Sequence, residues 1–165
     1  MRLAIVGLCV LGAACSGQGS LPTSPSATGL QAQAGTELPF QGSFTRESFA
    51  VFEPPITLVI TGTQTGMATH LGQFTATSVD RVNTTNNTAT GTLNFTAANG
   101  DRLLTTTNGG QTESDVTLNA RIVGGTGRFA GATGTFTVHI TETIDFVTNT
   151  ATGSGAFEGT INLHH

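Results

Sequence analysis

A glutamate stands where the surrounding pattern calls for a hydrocarbon. Over residues 135–146, Phe136, Val138, Ile140, Ile144 and Phe146 share one parity, and Thr135, Thr137, His139, Thr141 and Thr143 share the other. This is the period-two pattern of a half-buried strand, and Glu142 falls on its apolar side. A carboxylate buried without a partner is costly, so the fold must either leave it in water or bring it a cation. Arg46 is in phase with Phe40 and Phe44, and His70 is in phase with Ala68 and Phe74. Arg46, His70 and Glu142 together would line a polar pocket for a small ligand, and a carboxylate beside an imidazole is a general acid–base pair. Two plainer arrangements compete with this one. Arg46 and Glu142 can be a structural ion pair, or Glu142 can sit at a barrel mouth in contact with solvent.

Other chemistry finds less support. Asp80, Asp101, Asp115 and Asp145 lie near turns and read as turn residues. No Ser/His/Asp set has supporting context. His164 and His165 are adjacent on the tail and do not converge as metal ligands, so neither a metal nor a cofactor is expected. The segment 124–134 holds Gly124, Gly125, Gly127, Arg128, Phe129, Gly131 and Gly134. It is not a phosphate loop, because no Lys-Ser/Thr follows and the next element is a strand. It reads as a structural turn that closes a barrel floor, with Phe129 buried and Arg128 capping carbonyls or pairing with an acid.

The elements that would position these residues are strands. Of the 165 residues, 37% are hydrophobic, enough for one core, and only 10% are charged. Threonine supplies the missing polarity, and it favours strands. Lysine is absent, and the net charge is −4. Nucleic-acid binding, which needs clustered positive charge, is excluded. With Trp 0 and Tyr 0 there is no stacking platform for sugars. Alternating rows recur along the chain: Phe40, Gly42 and Phe44; Ile56, Leu58 and Ile60; Ala68 to Ala76; Ala89 to Ala97; Val116 to Ile122; and Ala151 to Ile161. The phase changes between Phe44 and Phe49, which predicts a bulge over 46–48. Asn99-Gly100 is a strong hairpin signal. Roughly eight strands with short turns predict an all-β, eight-stranded antiparallel up-and-down barrel, with a β-sandwich as the alternative.

The first residues read as an address. Arg2 precedes an apolar run, 3–14, of signal-peptide length and too short to span a bilayer. The run ends Leu11-Gly12-Ala13-Ala14-Cys15, which resembles a bacterial lipobox, with Gly12 where leucine is usual. The domains expected are therefore a lipoprotein signal peptide over 1–14, a lipidated Cys15 with a Ser/Pro/Gly-rich linker over 15–37, and a barrel over 38–163. Cys9 leaves with the leader, so the mature domain has no disulfide. The partner implied is a membrane, through lipid on Cys15. Ser16 in place of an aspartate points to the outer membrane of a cell envelope.

The run 122–134, Ile-Val-Gly-Gly-Thr-Gly-Arg-Phe-Ala-Gly-Ala-Thr-Gly, resembles the signature of the allene oxide cyclase and dirigent superfamily. Segments 68–75 and 95–101 are similar to bacterial secreted relatives of the same domain, and the likeness extends over about Phe40 to Leu163. The resemblance implies an eight-stranded barrel related to the lipocalin-like calycins, in some members a homo-oligomer. In the plant cyclase an inward glutamate and a polar-bound water work in an aromatic-lined cavity, and no motif here places those residues. Dirigent proteins guide radical coupling of phenols. The function expected is a non-enzymatic envelope barrel that binds a small apolar ligand or a partner. The alternatives are an isomerase or cyclase, or a filled structural or oligomeric barrel.

Overall fold

The computed structural model describes residues 36–112 and 114–164. The leader, Cys15 and nearly all of the linker lie outside the described residues. The chain from Glu37 onward forms one closed barrel: β1 (Glu37–Glu53), β2 (Thr57–Ala68), β3 (Gly72–Asn83), β4 (Thr88–Ala97), β5 (Arg102–Thr112), β6 (Asp115–Gly125), β7 (Thr133–Asp145) and β8 (Thr150–Asn162). Each strand pairs antiparallel with the next, and β8 pairs back onto β1 from Glu37↔Asn162 to Phe49↔Thr150. Closure removes every sheet edge and rules out the two open layers of a sandwich.

Period-two alternation sets the inside from the outside. Phe136, Val138 and Ile140 of β7 and Leu118, Ala120 and Ile122 of β6 are buried, while Thr137 and His139 and Asn119 and Arg121 between them lie on the outer surface. At the end where β1 begins, the interior is solid. Phe40 meets Phe136 edge-on at 5.1 Å and Phe157 at 4.9 Å between ring centroids, and Phe95 lies 5.5 Å from Phe157. Aromatic pairs of this geometry add to their area burial. The glycine-rich segment closes this end. Gly127–Phe129 forms a 3₁₀ turn that buries Phe129 completely. Arg128 stacks over the Phe129 ring at 5.0 Å, donates to Leu71 O at 3.4 Å and lies 3.9 Å from Asp101 Oδ2. Gly127 has φ +56, and a Cβ there would collide with the Asp101 carboxylate.

Three details depart from the alternation read in the sequence. The register of β1 against β2 runs without interruption from Gly42↔Ala68 to Glu53↔Thr57, so there is no bulge at 46–48. Arg46 and Ser48 keep the inward parity of Phe44, and Phe49 and Val51 face out, each about half exposed. The phase appeared to change because the interior itself turns polar above Phe44. The register irregularity falls instead in the β5–β6 pair, beside Leu104 and Thr105. Phe146 lies past the end of β7 in the β7–β8 turn, 83% exposed, and does not continue the apolar row.

Glycines facing inward make room for the rings. Phe40 and Phe136 are both cross-strand partners of Gly159, and a Cβ on Gly159 would sit 2.5 Å from Phe136 Cα. Gly159→Ala should therefore cost about 1–3 kcal/mol by overpacking, and Phe157→Ala about 3–5 kcal/mol by opening a cavity among the rings. Denaturant midpoints at unchanged slope measure both.

Candidate functional site

Above the aromatic layer the interior is a buried polar layer. Arg46 comes from β1, Gln64 from β2, Ser78 and Asp80 from β3, Thr107 from β5 and Glu142 from β7, and all six are buried. Barrel geometry brings them together through glycines. Arg46 and Glu142 are two strands apart, and both pair with Gly153 of β8. With no side chain between them, Arg46 Nε reaches Glu142 Oε1 at 2.8 Å. Asp80 and Thr107 likewise both pair with Gly91, where a Cβ would stand 2.5 Å from Asp80 Oδ1. Across that gap Thr107 Oγ1 donates to Asp80 Oδ1 at 3.2 Å. Gly62 leaves space for Ser78 Oγ, Gln64 Nε2 and Arg46 Nε, all near the position its Cβ would take.

The layer holds one cation and two carboxylates. Arg46 Nη2 lies 3.9 Å from Asp80 Oδ2, so the guanidinium serves Glu142 closely and Asp80 at longer range. The 2.8 Å contact is an ion pair without hydrogen-bond alignment, and neither Arg46 Nε nor Glu142 Oε1 has another partner. Gln64 Nε2 donates to Ser78 Oγ at 3.0 Å, while its Oε1 is buried without a donor. Burial pushes the Asp80 carboxyl above the usual carboxylate range; Arg46 and the Thr107 hydroxyl oppose the rise, and Glu142 adds to it.

A cavity of about 450 Å³ opens above this layer at the barrel mouth. Leu58, Ile60, Val82, Ile144, Ala50 and Ala151 make its walls, and Glu142 reaches it from the base. Asp145 at the end of β7 and the β7–β8 turn, with Phe146 and Asn149, stand at its rim. The volume lies within the range of small-molecule sites, which runs from roughly 300 to 1,000 Å³.

Of the three residues read in the sequence as pocket candidates, the fold brings together Arg46 and Glu142. His70 is not with them, which corrects the pocket of three. What reads as one extended run over 67–79 is two strands joined by a turn at 69–71, and Leu71 takes the buried position there. His70 has φ 62 and hydrogen-bonds through Nε2 with Pro39 O at 3.1 Å, at the opposite end of the barrel. Asp80, read as a turn residue, is the third member in its place. Its signal was the row Phe74, Ala76, Ser78, Asp80, Val82, which extends the apolar parity of β3. Gln64 extends the row of Leu58 and Ile60 in the same way. Among the described residues no group of three or more His, Cys, Asp or Glu could hold a metal ion.

Two substitutions test the layer. Because the folded chain holds the Asp80 proton more tightly than the unfolded chain does, Asp80 lowers stability as pH rises from its unfolded pKa through its raised folded one. Asp80→Asn removes that slope. Its unfolding free energy relative to the parent should rise between about pH 4 and neutrality, as read from urea melts across pH. Glu142→Gln leaves Arg46 with its more distant partner alone and should cost about 3–5 kcal/mol, measured by the same melts at neutral pH.

No family model matches the chain, and no curated protein is similar enough to match. Two solved structures are similar in fold. The pterocarpan synthase dirigent protein GePTS1 superposes with a TM-score of 0.55 at 15% identity, over 90% of this chain and 99% of that one. The pterocarpan synthase dirigent protein PsPTS1 gives 0.51 at 13% identity, over 76% and 96%. Identities this low speak for the fold alone. With its closed antiparallel barrel of eight strands in sequence order, the chain has a dirigent-like fold.

Proposed function

We propose that this chain is a non-enzymatic binding protein that takes a small, largely apolar molecule into the mouth of its barrel. The observation that carries this reading is the contrast between the two ends. One end is packed with phenylalanine rings and closed by Phe129, and the other holds a cavity of about 450 Å³ with aliphatic walls and one buried carboxylate at its base. A barrel that served only as a spacer would have no use for the hollow end. Small barrels either fill with side chains or hold one ligand, and this one divides the two roles along its axis.

The N-terminal residues add the address: a leader over 1–14, lipid on Cys15 and a tether that holds the barrel at the cell envelope. A Cys15→Ser variant that no longer incorporates labelled palmitate would support the anchor, and one that is still labelled would remove it.

A second reading, an isomerase or cyclase, draws on the unequal carboxylates. Asp80 keeps its proton more readily than an exposed aspartate, next to a Glu142 paired with arginine, and such pairs divide acid and base roles in enzymes. The names of the two structural neighbours contain "synthase", which keeps this reading in view. It is the weaker one because Asp80 lies in the layer beneath the cavity and does not line it.

The binding reading predicts a saturable rise in the fluorescence of a neutral apolar dye, N-phenyl-naphthylamine, on adding the full chain. Ala151→Phe, which projects a ring into the cavity wall, should abolish the rise. An absent signal, or one that Ala151→Phe leaves intact, would refute the assignment of the mouth.

A further inference from the structure

The chemistry of the mouth goes further and selects a polar group for the ligand. Among the described residues, two charged side chains line the cavity, Glu142 at the base and Asp145 at the rim, and both are carboxylates. Among the described residues that line it there is no arginine or histidine. Arg46 lies beneath, already against Glu142 at 2.8 Å and facing Asp80 at 3.9 Å. With both acids ionised, the buried layer carries one negative charge more than its guanidinium offsets. Of the buried atoms in the layer without a hydrogen-bond partner, Gln64 Oε1 and Glu142 Oε1 are acceptors, and the one donor, Arg46 Nε, already faces Glu142 Oε1 at 2.8 Å.

A carboxylate head entering this cavity would meet Glu142 with no free cation to receive it. An alcohol would gain one neutral hydrogen bond. A protonated amine would bring the charge and the donors that the base lacks, and its hydrocarbon would lie against Leu58, Ile60, Val82 and Ile144. Asp145 does not compete for it from a flexible position, because its Oδ1 accepts from the Val147 and Thr148 amides at 2.8 and 3.3 Å and is fixed at the rim as an anion. Hydrogen bonds to a charged group are worth about twice neutral ones, and more when shielded from water.

We propose that the barrel mouth binds a cationic amphiphile, an aliphatic or aryl-alkyl amine whose ammonium group sits against Glu142. This rests on the reading of the mouth as a ligand site and adds the class of ligand.

The test displaces the neutral dye from the full chain at neutral pH with three probes of one body, octylamine, octanol and octanoate. Octylamine should bind tighter than octanol by roughly tenfold or more, and octanoate should be the weakest. In Glu142→Gln the ratio of amine to alcohol affinity should fall towards one. Asp145→Asn keeps the acceptor that its turn needs and should lower the same ratio by a smaller factor, so the test stands even where Glu142→Gln fails to fold. Equal affinities for the three heads, a preference for octanoate, or a ratio that neither variant changes would overturn the choice of an amine while leaving the mouth as a site. Failure of the dye to bind at all would overturn both readings.

Discussion

The width of an eight-stranded cylinder is the constraint on which the rest of this structure depends. Eight strands enclose a space that inward side chains from all of them cannot share at every level. The chain meets the limit by placing glycine at the cross-strand position between two large or polar residues. Phe40 and Phe136 meet across Gly159, Arg46 and Glu142 across Gly153, and Asp80 and Thr107 across Gly91. Side chains two strands apart therefore touch directly. One spacing rule builds both the aromatic layer and the polar one.

The two layers contribute differently to stability. Six phenylalanines within ring contact bury apolar surface and carry the hydrophobic part of folding. The ion pair above them has little net worth as an element of stability, since desolvation of both charges offsets their attraction. Its value is positional. Arg46 is held away from the cavity by its two acids, and Glu142 is held at the base of that cavity by Arg46. A chain that needed only a stable barrel could have continued the hydrocarbon upward, as Ile140 and Ile144 on either side of Glu142 do.

Much of this was legible along the chain. Alternation over β4, β6, β7 and β8 gave the inward rows and the strand count, and the closed barrel follows from eight consecutive antiparallel strands. Glu142 announced itself by standing on the wrong parity, and Arg46 by being in phase with Phe44. The failures have a common origin. Phe49 and Val51 look like a phase change only if the inside is taken to be apolar throughout, and here Arg46 and Ser48 are inside while the phenylalanine and valine are out. His70 appears inward only if the three-residue turn at 69–71 goes unseen. Asp80 reads as a turn residue because an aspartate a few residues from a polar loop ordinarily is one.

Parity and composition are local properties, so the sequence by itself determined that this chain makes threonine-faced strands, which residues share a side, and that a charge must be satisfied inside. Which charges meet is a matter of register around a closed ring, set by all eight strands at once. Only the tertiary structure could place Asp80 near Arg46, send His70 to the far end, and leave the cavity above Glu142. These depend on how far each strand is staggered against its neighbours, and nothing within a single strand records that stagger.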